Sequence, residues 1–304
     1  MEEVIVCSLC PRGCNAERTA YAGKGYCKMG YLPRIARVAP HMWEEPCISG
    51  KNGSGTIFFS GCVLSCVFCQ NMKISKGGYG KTVSVEELAG HIRSLEQKGV
   101  HNINLVSPTP YIESIIKAFE LYKPSVPIVY NTGGYEKAET IRRLDGIVDI
   151  YLPDMKYIRS ELSAKYSGAS DYFKYASESL EEMVKQTGSP AFDENGMMIK
   201  GTIVRHLILP KNTKNSIEVL RYLDNNFGEK ILISLMGQYI PVGDAEKYPE
   251  INRCITAREY EKVLSELGNL SLDGFAQELD SASKTYIPDF NLRDDDLSFN
   301  DSHI

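Results

Sequence analysis

No stretch of this 304-residue chain comes near the roughly eighteen consecutive apolar residues that a membrane-crossing helix requires. The opening MEEVIVCSLC carries two acids where a secretory signal would carry a positive cluster. A cytoplasmic protein with no membrane partner is therefore the expectation. An excess of basic residues is missing too: the formal charge is -5, so the surface is not built to neutralise phosphates, and no nucleic-acid partner is expected. A phosphate-cradling glycine loop is also absent. Gly77-Gly78-Tyr79-Gly80 has no Lys-Ser/Thr after it and reads as a surface loop. No Ser/His/Asp nucleophile set is present, and no repeat at solenoid spacing.

Cysteine, by contrast, is plentiful. The chain has nine, an odd number that suits a disulfide framework poorly in a chain of this size. Metal binding fits better. The densest group lies in SGCVLSCVFCQN, where Cys62, Cys66 and Cys69 follow a C-x3-C-x2-C spacing directly after the apolar run Thr56-Ile57-Phe58-Phe59. A Gly- and Ser-rich turn lets three thiolates converge, and thiolates hold iron–sulfur clusters. A four-iron cage with three cysteines keeps one iron without a local protein ligand, and an open metal position marks a site that does chemistry. A structural zinc or a redox dithiol is the plainer alternative, but zinc in a structural site takes four ligands and no fourth lies nearby.

The same twelve residues resemble the signature of the radical S-adenosylmethionine enzymes, in which an aromatic residue, here Phe68, stands just before the last cysteine. The resemblance implies a [4Fe–4S] cluster on Cys62, Cys66 and Cys69, with S-adenosylmethionine chelating the open iron. It further implies reductive cleavage to methionine and a 5′-deoxyadenosyl radical that abstracts hydrogen from a second substrate, with an electron donor such as flavodoxin or ferredoxin. CSLCPRGCNAER, GKGYC, HMWEEPCISG and GSGTIFFSGC are similar to segments of an uncharacterised group related to pyruvate formate-lyase activating enzyme. That likeness suggests a glycyl or other peptide-like target. A small-molecule substrate is the rival within the class, and a non-catalytic iron–sulfur electron-transfer protein the rival outside it.

Residues 1–50 read as a cysteine-rich segment punctuated by Gly and Pro, with little core of its own. Cys7, Cys10, Cys14 and Cys27 supply four thiolates there, enough to close a second site holding zinc or another iron–sulfur cluster, with reduced structural thiols as the alternative. His41 and Trp43 in the link that follows are cavity candidates, or else a surface histidine and a buried aromatic. Residues 51–245 alternate strand and helix. Strands are predicted over 54–59, 102–106, 127–131, 147–152, 201–209 and 230–235. Helices are predicted over 84–98, with a capping box at Ser84-Val85-Glu86-Glu87, and over 111–122, 136–144 and 171–186; a further one is capped near Asn215. Asn195-Gly196 reads as a hairpin turn. Such parallel βαβ units describe an α/β fold, a partial (β/α)6 barrel with a Cys-rich amino-terminal segment. The family's fold is an incomplete barrel of this kind. Residues 246–304 are expected to add a helix begun by the capping box Thr256-Ala257-Arg258-Glu259, then a mobile acidic tail.

Parallel sheets keep chemistry at the carboxyl ends of their strands. The cysteine loop, Thr109, Asn131, Asp154, Lys156 and Gln238 fall at such ends. Where the family usually carries Gly-Gly-Glu, this chain has Ser107-Pro108-Thr109-Pro110, whose hydroxyls and carbonyls can still accept from an ammonium group. Asp154 and Lys156 stand two apart and so point to one side of an extended segment. Resemblance to activating enzymes suggests that they contact the amino acid end of the cofactor; an exposed surface pair is the alternative. Arg205 and His206 are adjacent in GTIVRHLIL, so only one can face inward. The resemblance implies that one of them reaches the cofactor. Asn131 and Gln238 are candidates for the ribose or adenine, although Asn131 beside glycines also suits a turn.

Overall fold

The computed structural model describes residues 3–277 together with Phe290. The chain begins with a short antiparallel ribbon of β1 (Ile5–Cys7) and β2 (Ala16–Arg18), followed by β3 (Arg34–His41), a one-turn helix α1 (Pro46–Ser49) and β4 (Ser54–Phe59). After the cysteine loop come α2 (Met72–Ser75), β5 (Lys81–Thr82), α3 (Val85–Gln97), β6 (Ile103–Val106) and α4 (Ile112–Leu121). Next are β7 (Ile128–Thr132), α5 (Ala138–Arg142), β8 (Ile150–Pro153), α6 (Ser160–Ser167) and α7 (Tyr172–Thr187). The remaining elements are β9 (Ala191–Phe192), β10 (Met198–Leu207), α8 (Thr213–Asn226), β11 (Leu232–Met236), α9 (Ala257–Leu267) and β12 (Asp273–Ala276).

The strands lie in the order β12-β11-β10-β8-β7-β6-β4-β3-β5, with β9 hairpinned onto β10 through the expected Asn195-Gly196 turn. From β4 to β12 every neighbouring pair is parallel. The α/β fold with a parallel-rich sheet is thus the one expected. Of the strands that were not expected, β3 and β12 have sequences that argue against a strand. β3 carries Pro40, which argues against a central strand, but β5 pairs only with Arg34 and Ile35 and, among the described residues, leaves the Pro40 end on a free edge, where proline is tolerated. β12 reads DGFA, weak in strand propensity. Its glycine is required by contact, because a Cβ on Gly274 would overlap the backbone of Ile233 in β11.

Both capping boxes form as predicted. Ser84 accepts from the Glu87 N–H, and Thr256 does the same for Glu259. The cap near Asn215 is corrected: Asn212 stands at the N-cap of α8, and Asn215 lies inside the first turn. Its side chain instead accepts from the Ile158 N–H (3.1 Å) and donates to the Lys156 carbonyl (3.0 Å), tying the helix to the loop after β8. The acidic tail from residue 293 lies outside the described residues. Among those described, no helix is long and apolar enough to cross a membrane.

Strand periodicity sorts the side chains into two layers. Ile57, Phe59, Ile103, Leu105, Ile128 and Tyr130 face outward onto Leu88, Ile92 and Leu95 of α3 and Ile112 and Ile115 of α4. Val204, Ile208, Ile233 and Leu235 do the same against α7, α8 and α9. On the inner face Val129, Ile150, Leu152, Ile203 and Leu232 close around Cys47 and Ile48 of α1. The one-turn helix therefore fills the amino-terminal half of the lumen. Ile48 is fully buried there, worth about 2–3 kcal/mol of transfer free energy. Among the described residues, the carboxyl-terminal half of the lumen is left open.

Candidate active site

The loop leaving β4 is shaped by its backbone. Gly61 has φ +84°, and a Cβ there would overlap the Met29 side chain. The loop is then pinned to α6, since Ser65 N–H donates to the Ser167 carbonyl (3.2 Å) and Val67 N–H to the Tyr166 carbonyl (2.9 Å). A turn closes it, with Cys69 N–H on the Cys66 carbonyl at 3.2 Å. Cys62, Cys66 and Cys69 then border one cavity of about 630 Å³ at the carboxyl ends of the strands. Cys66 Sγ is 3.0 Å from Ser167 Oγ, and Cys69 Sγ is 3.4 Å from Ser75 Oγ. None of the three is in a disulfide. Burial pushes the Cys62 thiol up to about 12, with the neighbouring sulfurs adding to the rise. Burial raises Cys66 as well, against the pull of the Lys156 ammonium. Three thiolates can share such a place only with metal cations among them, because bound metal displaces the thiol protons. Among the described residues no three His, Cys, Asp or Glu side chains already form a single-ion shell. The sulfurs instead border a space, which suits a cage ligated at separate corners, so the donor set fits an iron–sulfur cluster.

Beneath the sulfurs lies a layer of paired charge. Asp154, just past β8, accepts from Lys156 Nζ at 2.5 Å and from Arg205 Nε at 3.2 Å. Arg205, in β10, also donates to Glu44 Oε2 at 3.2 Å and to Asn131 Oδ1. Glu44 receives Asn104 Nδ2 at 3.1 Å and Asn131 Nδ2 at 3.4 Å. Burial would raise the Asp154 carboxyl, but Lys156 and Arg205 outweigh it and hold the group below its ordinary value. Burial likewise opposes the Lys156 charge and is outweighed by Asp154 and Cys66, so the ammonium is retained. Tyr172 fixes the turn, its hydroxyl 2.9 Å and 2.7 Å from the carbonyls of Gly133 and Asp154 while it accepts the Lys156 N–H.

Of the candidates drawn from sequence, Phe68, Ser107, Asn131, Asp154, Lys156, Arg205 and Gln238 all border the cavity with the three cysteines, and so do His41 and Trp43. Phe68 packs edge-on against Tyr239. Two candidates do not reach it. Arg205 shares parity with lumenal Ile203, which turns His206 toward the helices; its Nδ1 meets the Met155 carbonyl at 2.6 Å and burial drives its pKa down to about 4. Thr109 enters a 3-10 turn after Pro108 and points behind the strand ends, donating to Glu136 Oε1 at 2.6 Å. Glu44 and Glu45 were missed. The available signal was a pair of acids directly before Pro46, too costly to bury unless matched by a cation. The four amino-terminal cysteines, Cys7, Cys10, Cys14 and Cys27, border a separate cavity of about 20 Å³.

Glu136 offers a test of this packing. Its carboxyl is fully buried, accepts from Thr109, Thr132 and Tyr130, and is driven by burial from near 4.5 to about 7. The native state thus binds this proton more tightly than the unfolded chain, so stability falls as pH rises from about 4.5 through about 7. A displacement of that size corresponds to about 3 kcal/mol. Glu136→Gln is expected to remove most of that loss. Urea denaturation of both proteins at pH 5 and pH 8 should show a pH difference smaller by about 2–3 kcal/mol in the variant; an unchanged difference would mean that the carboxyl stays ionised throughout.

The family model described as Radical SAM superfamily matches residues 56–223. An uncharacterised protein of Methanocaldococcus jannaschii is 30% identical over 279 residues, covering 88% of this chain and 75% of that protein. Among solved structures, HydG, a maturase of the [FeFe]-hydrogenase, aligns with a TM-score of 0.50 at 14% identity, over 71% of this chain and 49% of that one. SuiB of Streptococcus suis, bound to its precursor peptide SuiA, aligns with a TM-score of 0.49 at 12% identity, over 73% and 48%. The chain spans about half the length of these two solved structures. At such identities the likeness concerns the fold.

Proposed function

The chain belongs to the radical S-adenosylmethionine superfamily, and on that premise we propose that Cys62, Cys66 and Cys69 hold a [4Fe–4S] cluster beside an S-adenosylmethionine bound in the 630 Å³ cavity. Bound there, the pair would supply reductive cleavage of the carbon–sulfur bond, giving methionine and a 5′-deoxyadenosyl radical that takes hydrogen from a second substrate. The residues around it do the positioning. Lys156 and Arg205 present cations to the carboxylate of the amino acid end, while Asp154 and the Ser107 hydroxyl present acceptors to its ammonium. Asn131 and Gln238 suit the ribose or adenine, and Phe68 with Tyr239 forms an apolar wall that keeps water from the reacting carbon. The observation that carries the reading is that the three thiols and the Asp154–Lys156–Arg205 network border one cavity at the strand ends.

The hydrogen donor divides two finer readings. Likeness to the activating enzyme of pyruvate formate-lyase favours a glycyl or other peptide-like target, with flavodoxin or ferredoxin delivering the electron in the cytoplasm. A small substrate is favoured by a different feature: His41 at the end of β3, with Met42, Trp43, Glu44 and Glu45 in the link to α1, walls part of the cavity and narrows what can enter. Protein reconstituted without oxygen and given dithionite and S-adenosylmethionine should form 5′-deoxyadenosine and methionine in equal amounts. A preparation with a full cluster that cleaves nothing would overturn the enzyme reading and leave a non-catalytic electron carrier.

A further inference from the structure

We propose that Cys7, Cys10, Cys14 and Cys27 bind a second metal centre, a closed four-thiolate site that fastens the amino-terminal segment against the Cys62–Cys69 loop. The segment cannot hold itself by apolar burial. Its ribbon has strands of three residues, and Val4, Val6 and Tyr21 are 53%, 66% and 67% exposed. A two-stranded hairpin of that length is not stable in water, and small core-poor segments are commonly stapled by a metal.

What the segment does possess is a void. The four cysteine side chains border one small cavity that they share with Arg12 and Arg18. Gly25 keeps it open, since a Cβ there would stand 3.0 Å from Cys14 Sγ and 3.2 Å from Ala16 Cβ. All four thiols are free. The four sulfurs border one space without yet meeting at a point, so side-chain rotation toward the cavity must precede the closing of a single-ion shell.

Charge is also provided for. A divalent ion on four thiolates is left with two negative charges; the Arg18 guanidinium stands against one of the sulfurs, and Arg12 lines the same cavity. Arg18 is 2% exposed, with Nη1 3.4 Å from Cys7 Sγ, while its other contacts are the carbonyls of Met29 (2.9 Å), Pro110 (2.7 Å) and Gly30. Arg12 donates through Nε to the Val63 carbonyl at 2.7 Å and through Nη1 to the Gly168 carbonyl at 2.6 Å. Val63 borders this cavity and is covalently next to Cys62. As each sulfur–metal bond forms, the thiol proton passes to solvent, and no electron is transferred. Four protein thiolates leave no open position, so the centre is structural.

The test uses the full chain carrying Cys62→Ala, Cys66→Ala and Cys69→Ala, which keeps it independent of the function proposed above. The triple variant, purified without oxygen, is expected to retain tightly bound metal: about one zinc per chain, or about four iron with four sulfide if the centre is a cluster. Alkylation followed by mass spectrometry gives a second readout that needs no change to the amino-terminal cysteines. Cys14 and Cys254 are both exposed, so as free thiols they should react alike, whereas a metal-bound Cys14 should react at least about tenfold more slowly until a chelator in denaturant strips the metal. A triple variant that carries no metal overturns the proposal. So does Cys14 reacting as fast as Cys254 in metal-bearing protein.

Discussion

Cys66→Ala is expected to reduce 5′-deoxyadenosine formation by at least about a hundredfold under anaerobic conditions with excess dithionite. Loss of outer partners to a metal ligand already costs 10–100-fold in affinity or activity, so losing one of three direct thiolates sets a floor at about that level. The substitution removes little else. Cys66 is half-buried and its polar contact is with Ser167 Oγ, which keeps a partner in the Tyr157 hydroxyl at 2.9 Å. Folding should therefore survive, with a loss of about 1 kcal/mol. Iron content, the visible absorption of the oxidised cluster and product yield should fall together. Wild-type yield from the alanine variant would remove Cys66 from the ligand set.

Arg205→Met is expected to cost about 3–5 kcal/mol of folding stability, the range seen when one member of a buried ion pair is deleted. Arg205 faces Asp154 and Glu44 at 3.2 Å each, and both carboxylates are largely withdrawn from water. Without the guanidinium, Lys156 still pairs with Asp154 at 2.5 Å, whereas Glu44 loses the ion pair it makes with Arg205. Burial raises the Glu44 and Glu45 carboxyls, and Arg205 is the first charge opposing that rise in each. In the variant, their proton uptake on folding should therefore grow. Denaturant titration measures the loss, and adding Glu44→Gln should recover about 1–3 kcal/mol through coupling within one network. A loss below about 1 kcal/mol would mean that water reaches this layer and screens it.

How much of this was legible depended on how far apart the partners lie in sequence. The cysteine loop is local, and its spacing singled out three thiols that the fold brings to one cavity. Apolar runs and turn residues placed the parallel strands, and two capping boxes were read correctly because an N-cap and its N3 partner are three residues apart. Side-chain parity reduced Arg205 and His206 to one inward residue, but which one depends on the register of β10 against β8 and β11. Thr109 misled for a related reason: Pro108 turns the chain into a 3-10 turn, and a hydroxyl at a strand end then points behind the sheet. Glu44 meets Arg205 across 161 positions, a pairing that no local pattern reveals. β12 stayed hidden because its glycine is demanded by a neighbouring backbone and not by any turn of its own.

The peptide from Glu44 to Ser49 behaves like a cork pushed up the bore from below. Its tip carries the acids that meet Arg205, its shaft is Ile48, and neither belongs to a strand of the sheet. Resizing those few residues would therefore deepen or shorten the reaction chamber while every rung of the surrounding ladder stayed in register.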